Sequence, residues 1–398
     1  MTKKYLSCLF IGALPSSLVD FRGPLISAMI SRGIKVCASA NGRDSNTEEK
    51  LREMGVEYYP IHIARAGMNP LADVVTFFDL IRIIRLVKPS IVLSYTIKPV
   101  IYGGLAARLC RVQNVFSVIE GLGSVFMPWE SPFQIFSSIV AKWLYRIGLV
   151  ASKRVFFLNS DDLSQFVKEG YVSKRKVVLL NGIGIDLAYH AKGELSSFSR
   201  LKFIMITRLL KYKGVREYVA AAKIVLTSYP NAEFVLAGCL DENPNSIKQD
   251  ELDLWQREGL VNYVGWVDDV RSLIRSSHIF VLPSYYREGT PRTTLEAMAM
   301  GRAIITTDAP GCRETVDKSV NESVWKMEEN VNKLKIGRNG ILIPTKDVRP
   351  LVAAMEFFFK HPEQIAIMGR ESRCYAEERY DVHKVNTVML NEMGLDST

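Results

Sequence analysis

Pro283-Ser284-Tyr285-Tyr286-Arg287-Glu288-Gly289-Thr290-Pro291-Arg292-Thr293-Thr294-Leu295-Glu296-Ala297-Met298-Ala299-Met300-Gly301 is the stretch on which the reading of this 398-residue chain turns. The apolar run at residues 278–282 predicts a buried strand that stops at Leu282. Thr290 suits a helix N-cap, Pro291 a first helical residue, and Gly301 a left-handed stop after Met300. The stretch therefore reads as strand, loop and helix, with Glu288 on the loop just before the helix N-terminus. Free backbone amides and the positive end of the helix dipole make that N-terminus a site for an anion such as a diphosphate. A carboxylate beside a diphosphate needs a reason. Glu288 can bond sugar hydroxyls or stabilise an oxocarbenium-like charge, and Glu296, about two turns into the helix, can accept from ribose hydroxyls. A loop charge and a solvated helix residue are the plainer alternatives.

Working outward, Thr207-Arg208-Leu209-Leu210-Lys211-Tyr212-Lys213-Gly214 also follows an expected strand and precedes an expected helix. Arg208 and Lys213 are cations suited to neutralising a departing nucleoside diphosphate. Strand-like runs at residues 201–207, 233–237, 261–264, 278–282, 303–306 and 340–343 alternate with helix-like stretches at 215–228, 247–258, 268–276, 291–300 and 348–359. Two more helices are expected at 362–378 and 382–392. The first half alternates in the same way. Its strands are expected at 6–11, 35–38, 57–61, 91–95, 115–118, 155–158 and 177–180, and its helices at 21–31, 46–54, 70–87, 99–109, 132–150 and 161–169. Such alternation predicts an α/β protein with two doubly wound parallel sheets. The glycines of Asn181-Gly182-Ile183-Gly184-Ile185-Asp186 mark the break, giving expected domains at 1–186 and 187–378 and a C-terminal helix at 379–398 that can pack back on the first domain. Ligands of such sheets bind beyond the strand carboxyl ends, so the site is expected in a cleft between the domains.

Composition narrows the function. The net charge of +9 lies wholly in the first half: 23 Lys and Arg stand against 14 Asp and Glu up to His190, and 28 against 28 after it. That half is expected to face something anionic. No pattern of nucleic-acid readers accompanies the charge, so no nucleic-acid partner is expected. The six cysteines are scattered and read as reduced core residues, with no metal-ligand spacing. The N-terminal apolar run is short and ends at Gly12, which favours a first strand over a signal peptide. No run of about 18 apolar residues exists to span a bilayer.

The spacing of Glu288 and Glu296 resembles the E-x7-E signature of glycosyltransferase family 4. Ala297-Met298-Ala299-Met300-Gly301-Arg302 onward to Pro310-Gly311-Cys312-Arg313-Glu314, and Arg208 with Lys213-Gly214, are similar to that family too. The resemblance implies a GT-B fold, no metal and no cofactor, and retention at the anomeric carbon by a front-face route. It implies that Arg208 and Lys213 hold the diphosphate, Glu288 meets the donor sugar and Glu296 the ribose. Gly289, Thr290, Pro291, Arg292 and Gly238 join them as donor-binding residues.

In the first half, Val19-Asp20-Phe21-Arg22-Gly23-Pro24-Leu25 and Ser94-Tyr95-Thr96-Ile97-Lys98-Pro99 resemble a bacterial subgroup that extends lipid-diphosphate-linked oligosaccharides. Gly121-Leu122-Gly123 fits as well, but Glu120 stands where that subgroup has Thr. Glu120, Lys98, Arg22 and Tyr95 are the candidate acceptor-binding residues, with Lys98 and Arg22 expected on the acceptor diphosphate. Residues 127–146 mix aromatics with Lys and Arg at helical spacing, as an interfacial helix on an anionic leaflet does; Phe357-Phe358-Phe359 reads as core. The expected reaction moves a hexose or N-acetylhexosamine from a UDP-sugar to a polyprenyl-diphosphate-linked saccharide in bacterial surface glycan assembly. The expected place is the inner face of the plasma membrane. A nucleotide-sugar epimerase of similar fold, a non-catalytic module, and a transferase using a GDP-sugar or a soluble acceptor are the alternatives.

Overall fold

The computed structural model of the protein describes residues 6–63, 69–126, 132–195, 200–241, 243, 245–319 and 334–395. The chain divides into two compact units. One joins Met1–Ile183 to Val382–Thr398, and the other is the uninterrupted stretch Gly184–Asp381. The polar segment after residue 187 thus belongs to the second unit. It is pinned there by the fully buried Arg302, whose guanidinium donates to the carbonyls of Gly193 (2.9 Å), Glu194 (3.1 Å) and Ser277 (3.1 Å).

The first unit holds a parallel sheet of β1 (Ser7–Ile11), β2 (Lys35–Asn41), β3 (Glu57–Ile61), β4 (Ile91–Tyr95), β5 (Asn114–Ile119), β6 (Arg154–Phe157) and β7 (Val177–Leu179), in the order β3-β2-β1-β4-β5-β6-β7. Its central strands are buried on both faces, which is why they read as continuous apolar runs rather than alternating ones. Pro60 lies in β3, an edge strand, where a missing N–H costs no ladder bond. The order reverses between β1 and β4, and there the crevice for a ligand opens.

The second unit repeats the plan with β8 (Lys202–Ile206), β9 (Glu233–Ala237), β10 (Asn262–Tyr263), β11 (Ile279–Leu282), β12 (Ala303–Thr307), β13 (Lys335–Ile336) and β14 (Gly340–Ile343), in the order β10-β9-β8-β11-β12-β14-β13. Its switch point lies between β8 and β11. Among the described strands only β13 runs antiparallel, and sequence reading missed it because a two-residue strand carries no period.

Three local expectations shift. The helix expected at 21–31 is Gly23–Ile30, and a separate helix, Ser16–Asp20, precedes it. Pro24 has no N–H to give the carbonyl of Asp20, so one helix cannot run through. The helix expected at 99–109 opens with a π-helical turn, Pro99–Gly103, before Gly104–Leu109. Pro291, not Thr290, caps its helix: its φ of −63° is helix-compatible but its ψ of 115° is extended, and the helix runs Arg292–Ala299. The proline ring fixes φ alone and leaves ψ to the loop.

The C-terminal helix Val382–Glu392 completes the first core: Val385, Met389 and Leu390 are buried in one cluster with Leu25, Ile26 and Met29. Phe357 and Phe358 are fully buried in the second core. Among the cysteines, Cys8, Cys37 and Cys312 are buried and Cys110 and Cys239 half-buried. Cys374 is exposed, against the expectation that it is core.

Candidate active site

In the second unit, two loops meet at the switch point. One follows β8 and carries Arg208 and Lys213; the other follows β11 and carries Ser284 and Glu288. Backbone stitches them, the amide of Tyr285 donating to the carbonyl of Tyr212 at 2.9 Å. The Lys213 ammonium donates to Glu288 Oε1, and the Ser284 hydroxyl donates to the same oxygen at 2.9 Å. Both charged side chains are nearly buried, at 12% and 11% exposure, and Lys213 Nζ sits 5.3 Å from the Tyr286 ring centre. Residues 75 positions apart are thereby one ion pair. Arg208, more exposed, pairs with Asp241 at 3.4 Å on the loop after β9.

The helix Arg292–Ala299 starts directly after this loop, with Pro291 as its N-cap residue. On it Glu296 is buried rather than solvated, accepting from Arg292 Nε at 2.9 Å, with His190 Nε2 at 3.8 Å. His190 is buried, its Nδ1 lies 3.0 Å from the Asp186 carbonyl, and burial holds its pKa below 6.5 against the pull of Glu296. Sequence reading passed over His190, Ser284 and Asp241, since single polar residues at no fixed spacing carry no signal. Thr290 is buried beside this loop, and Gly289 gives its carbonyl to close packing against Gly311. A Cβ on Gly311 would lie 2.4 Å from that oxygen and 2.5 Å from the Glu288 carbonyl, which seats the Pro310–Glu314 motif directly against the loop. Gly238 is placed differently from a ligand donor. Its amide goes to the Gly265 carbonyl at 2.8 Å, and its Cβ would lie 1.8 Å from the Thr207 carbonyl. The position therefore needs glycine for packing at φ 142°. Among the described residues, no group of three His, Cys, Asp or Glu is placed to hold a metal ion.

In the first unit, the carboxyl ends of β1, β4 and β5 bring Arg22, Tyr95 and Glu120 together. Arg22, 2% exposed, donates to Glu120 Oε1, and its guanidinium lies 4.8 Å from the Tyr95 ring centre. Tyr95 is fully buried with its hydroxyl 3.0 Å from Ser17 Oγ, and burial pushes its phenol up. Burial likewise raises the Glu120 carboxyl, opposed by Arg22. Thr96 holds φ 68°, a strained value for a β-branched residue, and such strain gathers at ligand sites. Lys98 pairs with Asp73 at 2.7 Å. The two cations expected to take an acceptor diphosphate thus each already have a carboxylate, so a diphosphate has to share or replace it.

Residues 200–361 match the family described as glycosyl transferases group 1, and residues 15–154 match glycosyl transferase 4-like. The chain is a family 4 glycosyltransferase. A Campylobacter jejuni protein described as N,N'-diacetylbacillosaminyl-diphospho-undecaprenol alpha-1,3-N-acetylgalactosaminyltransferase is 28% identical over 82% of this chain and 86% of its own length. An Escherichia coli UDP-Gal:alpha-D-GlcNAc-diphosphoundecaprenol alpha-1,3-galactosyltransferase is 29% identical over 62% of this chain and 64% of its own. Among solved structures, the Anabaena protein HepE, crystallised with UDP, superposes with a TM-score of 0.73 over 98% of this chain and all of that one, at 14% identity. The transferase therefore has the GT-B fold, built from the two α/β units described above.

Proposed function

We propose that the transferase moves a hexose or N-acetylhexosamine from a UDP-sugar to a polyprenyl-diphosphate-linked saccharide, with retention and without a metal ion. The observation that carries this reading is the nearly buried Lys213–Glu288 pair at the switch point, just before the N-terminus of the helix Arg292–Ala299. The names of the two relatives support the acceptor class. In the proposed reaction an acceptor hydroxyl oxygen bonds to the anomeric carbon as the bond from that carbon to the diphosphate oxygen breaks. UDP leaves with the electron pair, and the hydroxyl proton passes to its β-phosphate on the same face. Lys213, Arg208 and the amides at the start of Arg292–Ala299 meet the charge on the leaving group in place of a divalent ion. Glu288, its carboxylate aimed by Ser284 and Lys213, bonds hydroxyls of the donor sugar. Glu296, fixed by Arg292, bonds the ribose.

The first unit supplies the acceptor side in this reading, with Lys98 at the acceptor diphosphate and the buried Arg22–Glu120 pair over Tyr95 shaping the crevice. The helix Pro132–Gly148 leaves Phe136, Ile139 and Trp143 more than half exposed along one side, which suits contact with an anionic leaflet. Residues 127–131 of that expected surface lie outside the described ones. No described helix is long and apolar enough to cross a membrane, and the proposed place is peripheral, on the cytoplasmic side of a bacterial plasma membrane. The test incubates the purified chain with single UDP- and GDP-sugars, synthetic saccharide-diphosphate-polyprenol and EDTA, and reads product mass and anomeric configuration. One sugar added with its configuration kept is expected. Conversion of donor without acceptor, or an inverted product, overturns the reading.

A further inference from the structure

An open groove of about 290 Å³ lies among three helices of the first unit. Val74 and Phe77 of the helix Pro70–Val87, Leu105 of Gly104–Leu109, and Val140 and Leu144 of Pro132–Gly148 wall it. Polar groups enter only at Asp73 and Tyr102. Asp73 also holds Lys98 at 2.7 Å, and Lys98 comes three residues after Tyr95, just past the carboxyl end of β4. The groove's polar corner therefore adjoins the crevice that carries Arg22 and Glu120. Outside it both long helices leave large apolar side chains in solvent, among them Leu71 (79% exposed) and Phe78 (62%) on one and Phe136 (63%) and Trp143 (61%) on the other.

An apolar trough with a cation at one corner fits a ligand that is apolar along its length and anionic at one end. We propose that this groove binds the head-proximal isoprene units of the acceptor lipid, with Lys98 exchanging Asp73 for the acceptor diphosphate. The proposal rests on the acceptor class given above. The volume is at the small end for ligand sites, so the groove takes the first units of the chain and the rest stays in the bilayer.

The test compares acceptors that share one saccharide diphosphate but carry a methyl, geranyl or farnesyl tail, in solution without detergent or lipid. KM is expected to fall about tenfold or more from methyl to farnesyl, with kcat within about twofold, since burying a few methylenes supplies that much. Val74→Trp and, separately, Val140→Trp fill the groove from partly exposed positions where the larger ring is tolerated. Each is expected to erase the tail advantage, leave the methyl acceptor's kinetics unchanged and keep the melting temperature. A wild type indifferent to tail length, or a tail advantage that survives in both folded variants, overturns the proposal. So does loss of sedimentation with anionic phospholipid vesicles in the variants while the tail advantage stays, which would assign the groove to bilayer lipid. If no acceptor is glycosylated whatever its tail, the acceptor class is wrong. Farnesyl diphosphate titrated calorimetrically still reads the groove: binding by wild type but not by Val74→Trp supports it, and absence of heat with wild type overturns it.

Discussion

Each sheet ends, at the point where its strand order reverses, in a cation and a carboxylate lying against a tyrosine ring: Lys213 with Glu288 on Tyr286, and Arg22 with Glu120 on Tyr95. The fold is repeated; the settings are not. Glu288 has a serine hydroxyl as a second donor and sits before a helix N-terminus, a setting that suits an anion. Glu120 is held by a guanidinium that is 2% exposed and anchored over a fully buried phenol, so that pair is built into the floor of its crevice. One plan thus yields a pair poised to bind charge and a pair poised to hold shape, and substitution can separate the two.

The largest effect is expected from Arg22→Met, which strands the Glu120 carboxylate and lowers stability by about 3–5 kcal/mol in urea unfolding. Arg22→Met combined with Glu120→Met should recover most of that loss; a double variant as unstable as the single would show that the pair is not a unit. Lys213→Ala should cut transfer about 10²–10³-fold at saturating donor, by analogy with removal of one preorganised donor from a transition state. Equal damage to turnover from the stability-rescued Arg22/Glu120 double variant would erase the distinction drawn here.

A smaller effect concerns acid. Burial depresses the pKa of His190 below the 6.5 of a free side chain, so as pH falls through that value the unfolded chain takes up a proton that the folded chain refuses. Its stabilising contribution is present above pH 6.5 and is lost toward the folded value. His190→Asn should therefore flatten the decline in melting temperature between pH 7.5 and 5.5 relative to wild type, and an unchanged slope would contradict it. Smallest of all, Arg154→Ala, which removes a half-exposed pair with Glu392, should cost about 0.2–1 kcal/mol.

What could be read beforehand followed physical signal strength. The central strands of the first sheet were legible because strands buried on both faces must be apolar throughout. The motif residues of the second unit were legible because the loop and helix that position them are short, which ties sequence spacing to spatial spacing. Asp73, 25 residues from Lys98, and His190, brought to Glu296 from the connecting segment, were not. Their contacts depend on how separate elements pack, and nothing local announces that. The loop at Pro291 shows the limit at fine grain: the residue type was informative and the dihedral was not.

The helix Val382–Glu392 has a consequence for biosynthesis. Its Val385, Met389 and Leu390 fill a core otherwise made by the opening 183 residues, whereas Gly184–Asp381 is continuous in sequence. On a ribosome adding about 5–20 residues per second, the half made first cannot close until the last helix has left the exit tunnel, and the half made second can close before it. The nascent chain must keep its unfinished amino-terminal sheet out of aggregates for that interval.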